Sequence, residues 1–239
     1  MANRTEHGFT IIELMLFLGI SGALFAALMI GVGSNITQQR YRESVVTYSA
    51  LLQNQYSEAA NIDNGRDGSW TCVNSTINQS ANGGQARGTT DCVLLGRAIQ
   101  IEDNGTTVKT SSVVGTEAAG YEDASDIAAL LAYKPRIESF DSETTPVDWG
   151  SSLVTTDNHP STATILILRS PSSGLIRVFA YAAGGDTVSD IITPQNATRS
   201  LKNCVKGDSL LQPTQSVSVD PRISGPDGII VDGMDPACK

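Results

Sequence analysis

Histidine is almost missing from this chain, with two residues in 239, His7 and His159. Imidazole-rich metal sites and Ser-His or Cys-His pairs therefore have little to draw on. His159 precedes Pro160 in a loop, where an exposed side chain is the ordinary reading and a general base the unusual one. There is no GxSxG elbow, no glycine-rich phosphate loop, no HExxH and no CxxC, so the motifs that announce hydrolases, nucleotide-binding enzymes and zinc sites are absent. No enzyme activity and no cofactor is expected. Basic residues are also scarce, 16 against 25 acidic ones, for a net charge of −9 and a pI near 4.6. That balance excludes a bulk nucleic-acid binder, which needs clustered Lys and Arg to neutralise phosphates.

What is present is apolar, at 40% of residues. This is enough for a core and excludes a chain disordered throughout. The 22 glycines and 9 prolines follow no period, so a collagen-like chain is excluded as well. The apolar residues are unevenly placed. Residues 14–33 read LMLFLGISGALFAALMIGVG without a charge, long enough to cross a bilayer as a helix of roughly 30 Å. A secretory signal would have a shorter apolar core and then a break in helical character. Here the pattern continues. Tyr41, Val45, Tyr48, Leu52 and Ala59 recur at spacings of four, three, four and seven, one face of an amphipathic helix. No proline interrupts residues 9–60. The Asn-Gly and Asp-Gly steps within residues 61–68 end the helix.

Glu13 stands at the start of the apolar run. A carboxylate there needs a headgroup, a proton or a partner, because an unpaired charge in the bilayer costs several kcal/mol. Its neighbours point to a partner. Gly8-Phe9-Thr10-Ile11-Ile12-Glu13, followed by Leu14, Met15 and an apolar run containing Gly22, resembles the signal of type IV pilins and of the pseudopilins of type II secretion. The resemblance covers residues 1–60.

It implies a leader, residues 1–8, removed by a prepilin peptidase between Gly8 and Phe9, with methylation of the new Phe9 amine. It implies a membrane and filament-core helix over residues 9–33, continued by an amphipathic half over 34–60. Glu13 would face the Phe9 amine of a neighbouring subunit. Gly19, Gly22, Gly31 and Gly33 would permit close helix approach. The partners implied are other pilin subunits, the peptidase, the assembly platform and, before assembly, the membrane. The chain would first cross the cytoplasmic membrane once and later stand on the cell surface. Two departures stand out: His7 replaces the basic residue often found before the leader glycine, and the apolar helix lacks the proline that many members carry.

Residues 61–239 would lie outside the cytoplasm as a disulfide-bearing domain. Cys72, Cys92, Cys204 and Cys238 are an even set, which suits disulfides there. Four cysteines allow three pairings. Cys72 with Cys92 and Cys204 with Cys238 is the favoured one, the second closing a C-terminal loop where many pilins also carry a disulfide; metal binding is the alternative. Strands are expected over residues 92–101 and 106–114 around an Asp103-Asn104-Gly105 turn, and over 163–169 and 174–182 around 170–173. Shorter strands are expected at 217–219 and 229–231. Ser125 caps a short helix that stops before Pro135. The fold class is α+β, pilin-like: a long N-terminal helix packed by an antiparallel sheet with long loops. Asp227, Asp232 and Asp235 lie close in a Gly-rich segment that could hold calcium or simply turn the chain.

The resulting expectation is a structural filament subunit, a type IV pilin or minor pilin. Its alternatives are a type II secretion pseudopilin and a helix-anchored surface adhesin or binding module that never polymerises.

Overall fold

The computed structural model describes residues 10–61, 70–79, 84–85, 89–120, 124–184, 187–207, 214–233 and 235–238. The chain separates into two compact units, Met1–Arg40 and Tyr41–Lys239. A single helix, α1 (Ile11–Ala60), belongs in part to each. Among the described residues it is the one helix long and apolar enough to cross a membrane.

Unit two includes residues 41–59 of α1, which contribute one wall of its core. Tyr41, Val45, Tyr48, Leu52 and Ala59 are all buried, joined by Tyr56. The helical period that marks this face in the sequence is therefore the face that packs. Each fully buried aliphatic on it contributes about 1.5–3 kcal/mol.

The strands follow in order: β1 (Trp70–Val73), β2 (Thr76–Gln79), β3 (Cys92–Glu102), β4 (Thr107–Thr116), β5 (Arg136–Pro146), β6 (Ser152–Val154), β7 (Thr164–Arg169), β8 (Ile176–Tyr181), β9 (Leu201–Lys206), β10 (Gln215–Val219) and β11 (Ile229–Asp232). Two short helices, α2 (Asp126–Ala132) and α3 (Val188–Ile191), interrupt them. The strands pair antiparallel as a five-stranded sheet, β5-β4-β3-β7-β8, a four-stranded sheet, β11-β10-β9-β6, and the hairpin β1-β2. The expected single sheet is thus two sheets and a hairpin, within an α+β fold.

Both sheets bury apolar residues against residues 41–59. Ile99, Ile165, Ile167 and Val178 come from the five-stranded sheet, and Leu201, Val205, Val217 and Val219 from the other. The opposite face of the five-stranded sheet carries Ala98, Leu166, Leu168 and Phe179 beneath Leu130 of α2 and Ile191 of α3. Burial on both faces explains why β7 carries an unbroken apolar run, ILIL after Thr164, rather than an alternation. Helix α2 starts where expected: the Ser125 hydroxyl accepts from the Ala128 N–H at 3.3 Å.

Polar anchors fix how residues 41–58 of the helix sit on the sheets. Tyr41 is inserted into a strand ladder: its hydroxyl donates to the Val205 carbonyl at 2.9 Å and accepts from the Gln215 N–H at 2.7 Å. Val205 and Gln215 are register partners on β9 and β10, so one phenol bridges the two strands. The Tyr48 hydroxyl accepts from Asn203 Nδ2 at 3.1 Å, and Asn203 Oδ1 accepts from Ser161 at 2.8 Å. Burial pushes the Tyr48 phenol above its ordinary range. Arg97 on β3 clamps the far end of the helix. Its Nε lies 3.0 Å from Gln55 Oε1 and 3.1 Å from Glu58 Oε2, and its Nη1 reaches Asp141 at 2.5 Å.

Tyr41→Phe removes only the bridging hydroxyl, leaving the Val205 carbonyl and Gln215 N–H without it. The expected loss is about 1–3 kcal/mol, since unsatisfied buried groups keep their full desolvation cost. Denaturant unfolding of the full chain measures it, and a midpoint equal to the parent's would show that the bridge contributes nothing.

Candidate functional site

The unusual surface of this chain is the first half of α1. From Ile11 to Val32 the described large apolar side chains are 53 to 76% exposed, on every side of the helix. Residues 41–59 hide one face; residues 11–32 hide none. An exposed apolar surface of a few hundred Å² already marks an interaction site on a monomer, and this one is a helix several turns long. Its four glycines sharpen the point. A Cβ built at Gly19, Gly22, Gly31 or Gly33 meets nothing within 4 Å. Each glycine costs the helix up to about 1 kcal/mol relative to alanine, and no contact among the described residues requires it.

Glu13 lies in the first turn of α1 and is exposed. Its N–H donates to the Thr10 hydroxyl at 3.3 Å, while the Leu14 N–H donates to the Thr10 carbonyl at 3.1 Å. Thr10 is therefore the N-cap, and Thr10-Ile11-Ile12-Glu13 has the Thr-x-x-Glu pattern of a capping box, with the acid at the positive end of the helix dipole. The role of Thr10 was readable from that spacing. Gly8 and Phe9, the residues of the expected cleavage, lie outside the described residues, as do the Asn-Gly and Asp-Gly steps after Asn61.

Cys72 is joined to Cys92 and Cys204 to Cys238, with Cα separations of 6.0 and 5.7 Å. The first ties β1 to the start of β3. The second ties β9 to the C-terminal segment, which Asp235 also holds. Asp235 is buried, and its Oδ2 takes the Lys202 ammonium at 2.5 Å and the Ser216 hydroxyl at 2.6 Å, while Oδ1 accepts the Ala237 N–H at 2.9 Å. A cation thus already occupies this carboxylate. Asp232 lies 4.0 Å from the same ammonium, and Asp227 stands in a separate 3-10 turn, residues Pro226–Gly228. Among the described residues no group of three His, Cys, Asp or Glu is placed to hold a metal. In this arrangement Asp235 acts as an anchor and Asp227 as a turn residue. His159 closes a tight loop in which its carbonyl accepts from the Thr155 N–H at 2.8 Å, and its side chain is exposed.

The Lys202 ammonium first, then the Ser216 hydroxyl and the Ala237 N–H, hold the Asp235 carboxyl down to about 2. A folded value below the unfolded one of about 3.9 means stabilisation that is complete above pH 4 and lost as pH falls toward 2. Acid unfolding of Asp235→Asn should accordingly lack part of the stability decline between about pH 4 and 2. An unchanged profile would remove Asp235 from that role.

The apolar helix, its capped acidic start and the disulfide-tied domain must be interpreted on their own chemistry. No protein-family model matches this chain, and neither a curated protein nor a solved structure matches it.

Proposed function

We propose that this chain is the structural subunit of a type IV pilus-like surface filament, held in the membrane by residues 9–33 and then assembled through them after cleavage between Gly8 and Phe9. The observation that carries the reading is the contrast within α1: residues 41–59 bury one face in their own domain, while the described large apolar side chains of residues 11–32 are exposed on all sides. Such a surface needs lipid or copies of itself. Lipid alone leaves the four glycines without a purpose, whereas helix-to-helix packing uses small residues for close approach. Glu13 supports the same reading, because a carboxylate in an apolar bundle is tolerable when an ammonium offsets its desolvation. The Phe9 amine freed by cleavage supplies one.

The test is a fractionation. Shearing cells that make the chain should release it with surface filaments, and cells lacking the prepilin peptidase should retain it in the membrane at full length. Equal recovery in the sheared fraction with and without the peptidase would defeat the proposal.

A further inference from the structure

We propose that the outward domains of successive subunits meet head to tail, with strand β11 of one copy seated in a cationic cleft of the next. The inference rests on the filament reading and adds a second contact to it.

The cleft has a volume of about 590 Å³ and lies between the end of α2, the start of β5 and α3. Its cations are Lys134 and Arg136, its apolar walls include Leu131 and Ile137, and Thr187 and Ser189 add hydroxyls. Among the described residues no carboxylate lines it, in a chain whose net charge is −9. The backbone explains the placement of the cations. Lys134 ends α2 in the left-handed region, with φ +50°, and Pro135 stops the helix from continuing. Lys134 and Arg136 are both exposed, and among the described residues no carboxylate pairs with the Lys134 ammonium. Arg136 donates to the Thr76 hydroxyl at 3.4 Å, and its charge is felt by the Glu138 carboxyl two residues on along β5. Lys134 therefore has an apolar surround and, among the described residues, no acidic partner.

The complementary surface is on the same chain. Elsewhere in the domain, Val46, Val73, Trp149 and Leu175 are exposed at separate points of the sequence, but Ile223, Ile230 and Val231 are exposed within one segment. Ile230 and Val231 belong to β11, the edge strand of the four-stranded sheet. Its outer hydrogen-bonding edge pairs with no described strand, and an open edge is a ready template for another chain. Asp227 and Asp232 flank the two apolar residues, and no described cation pairs with Asp227. An acid-apolar-acid edge thus faces a cleft with the reverse pattern. Complementary charges steer such contacts and fix their register.

The occupant is a second copy because the pattern that fits the cleft occurs on this chain, and assembly through residues 9–33 would bring copies together. The two surfaces are different, so the contact is heterologous. Repeated, it generates an open filament rather than a closed dimer.

Zero-length carbodiimide coupling joins a carboxylate to an amine only in contact. Applied to filaments of the full chain, it should link Lys134 of one copy to Asp227 or Asp232 of another, as read by mass spectrometry of the cross-linked peptides. Lys134→Glu should reduce the yield of linked subunits and their incorporation by roughly tenfold or more, because it sets like charges against each other. Adding Asp227→Lys should restore incorporation. Arg136→Glu provides an independent second variant, and closure of both disulfides reports that each variant folds. Filaments that assemble without a Lys134 link and are indifferent to both charge reversals overturn this contact and leave the filament reading standing. A chain that stays uncut and monomeric overturns both.

Discussion

Replacing Glu13 by Gln is expected to leave the chain inserted in the membrane and to reduce its incorporation into filaments by about 100-fold or more. The magnitude follows from the proposed pairing. Removing one partner of a buried ion pair costs about 3–5 kcal/mol, because the other charge stays buried without compensation, and about 1.4 kcal/mol corresponds to tenfold. Insertion should not suffer, since the change removes a charge from an apolar helix. The choice of Gln is deliberate. Glu13 also stands third after the Thr10 cap, and Gln serves a capping box as Glu does. If Glu13 acts only in starting the helix, Glu13→Gln assembles normally and Glu13→Ala does not. If it pairs with a neighbouring amine, both fail. Quantitative immunoblots of membrane and sheared fractions distinguish these outcomes.

The second large effect is expected at Gly96, inside the domain. Between Leu94 and Gly96 the pairing of β3 with β4 shifts register, and Gly96 has φ +153°. The bulge brings β3 so close to β7 that a Cβ at Gly96 would stand 2.1 Å from the Ile167 carbonyl oxygen and 3.0 Å from the Leu168 Cα. Both obstacles are backbone of a central strand, which cannot move aside as a side chain can. Gly96→Ala is therefore expected to cost about 3–5 kcal/mol, among the largest single-residue effects, and to lower the melting temperature on the order of 10 °C. Gly225→Ala is the control: its backbone is extended, at φ −170°, and nothing lies within 4 Å of a Cβ there, so the change should stay within about 0.5 kcal/mol. Equal melting of the two variants would contradict the close approach of β3 and β7. The consequence reaches beyond stability, because Ile99 and Arg97 on the same strand hold residues 41–58 of α1.

Some of this architecture could be read from the sequence because the signal was local and physical. The buried stripe of Tyr41, Val45, Tyr48, Leu52 and Ala59 follows the helical period without exception. The β3-β4 turn uses Asp103 and Asn104 at positive φ with Gly105 behind them, residues suited to that region. Strand β5 was not legible. It is an edge strand with an irregular, largely exposed pattern, and Glu138, Asp141 and Glu143 replace the apolar alternation. Charged edges discourage pairing with other chains, so the feature that protects the edge also removes its strand signature. Strand β9 was obscured for another reason. Its inward positions are Leu201, Asn203 and Val205, and the polar residue in the middle breaks the period while bonding Tyr48 and Ser161.

The same distinction applies to the site. The exposed apolar half of α1 is a run of composition and was plain. Arg97, with Gln55, Glu58 and Asp141 around it, joins residues far apart in sequence, and no spacing announces such a cluster. The start of the second compact unit has a related cause. Hydropathy changes after Gly33, whereas packing begins at Tyr41. The start of a compact unit depends on tertiary contacts that a one-dimensional pattern does not contain.

Intact-mass and N-terminal peptide spectrometry of the chain recovered from sheared filaments reads the fate of the Gly8–Phe9 bond. The expected result is a chain that begins at Phe9, carries a methylated amine and has both disulfides closed. A chain confined to the membrane fraction that still begins at Met1 or Ala2 would mean that it is an uncut anchor and not a filament subunit.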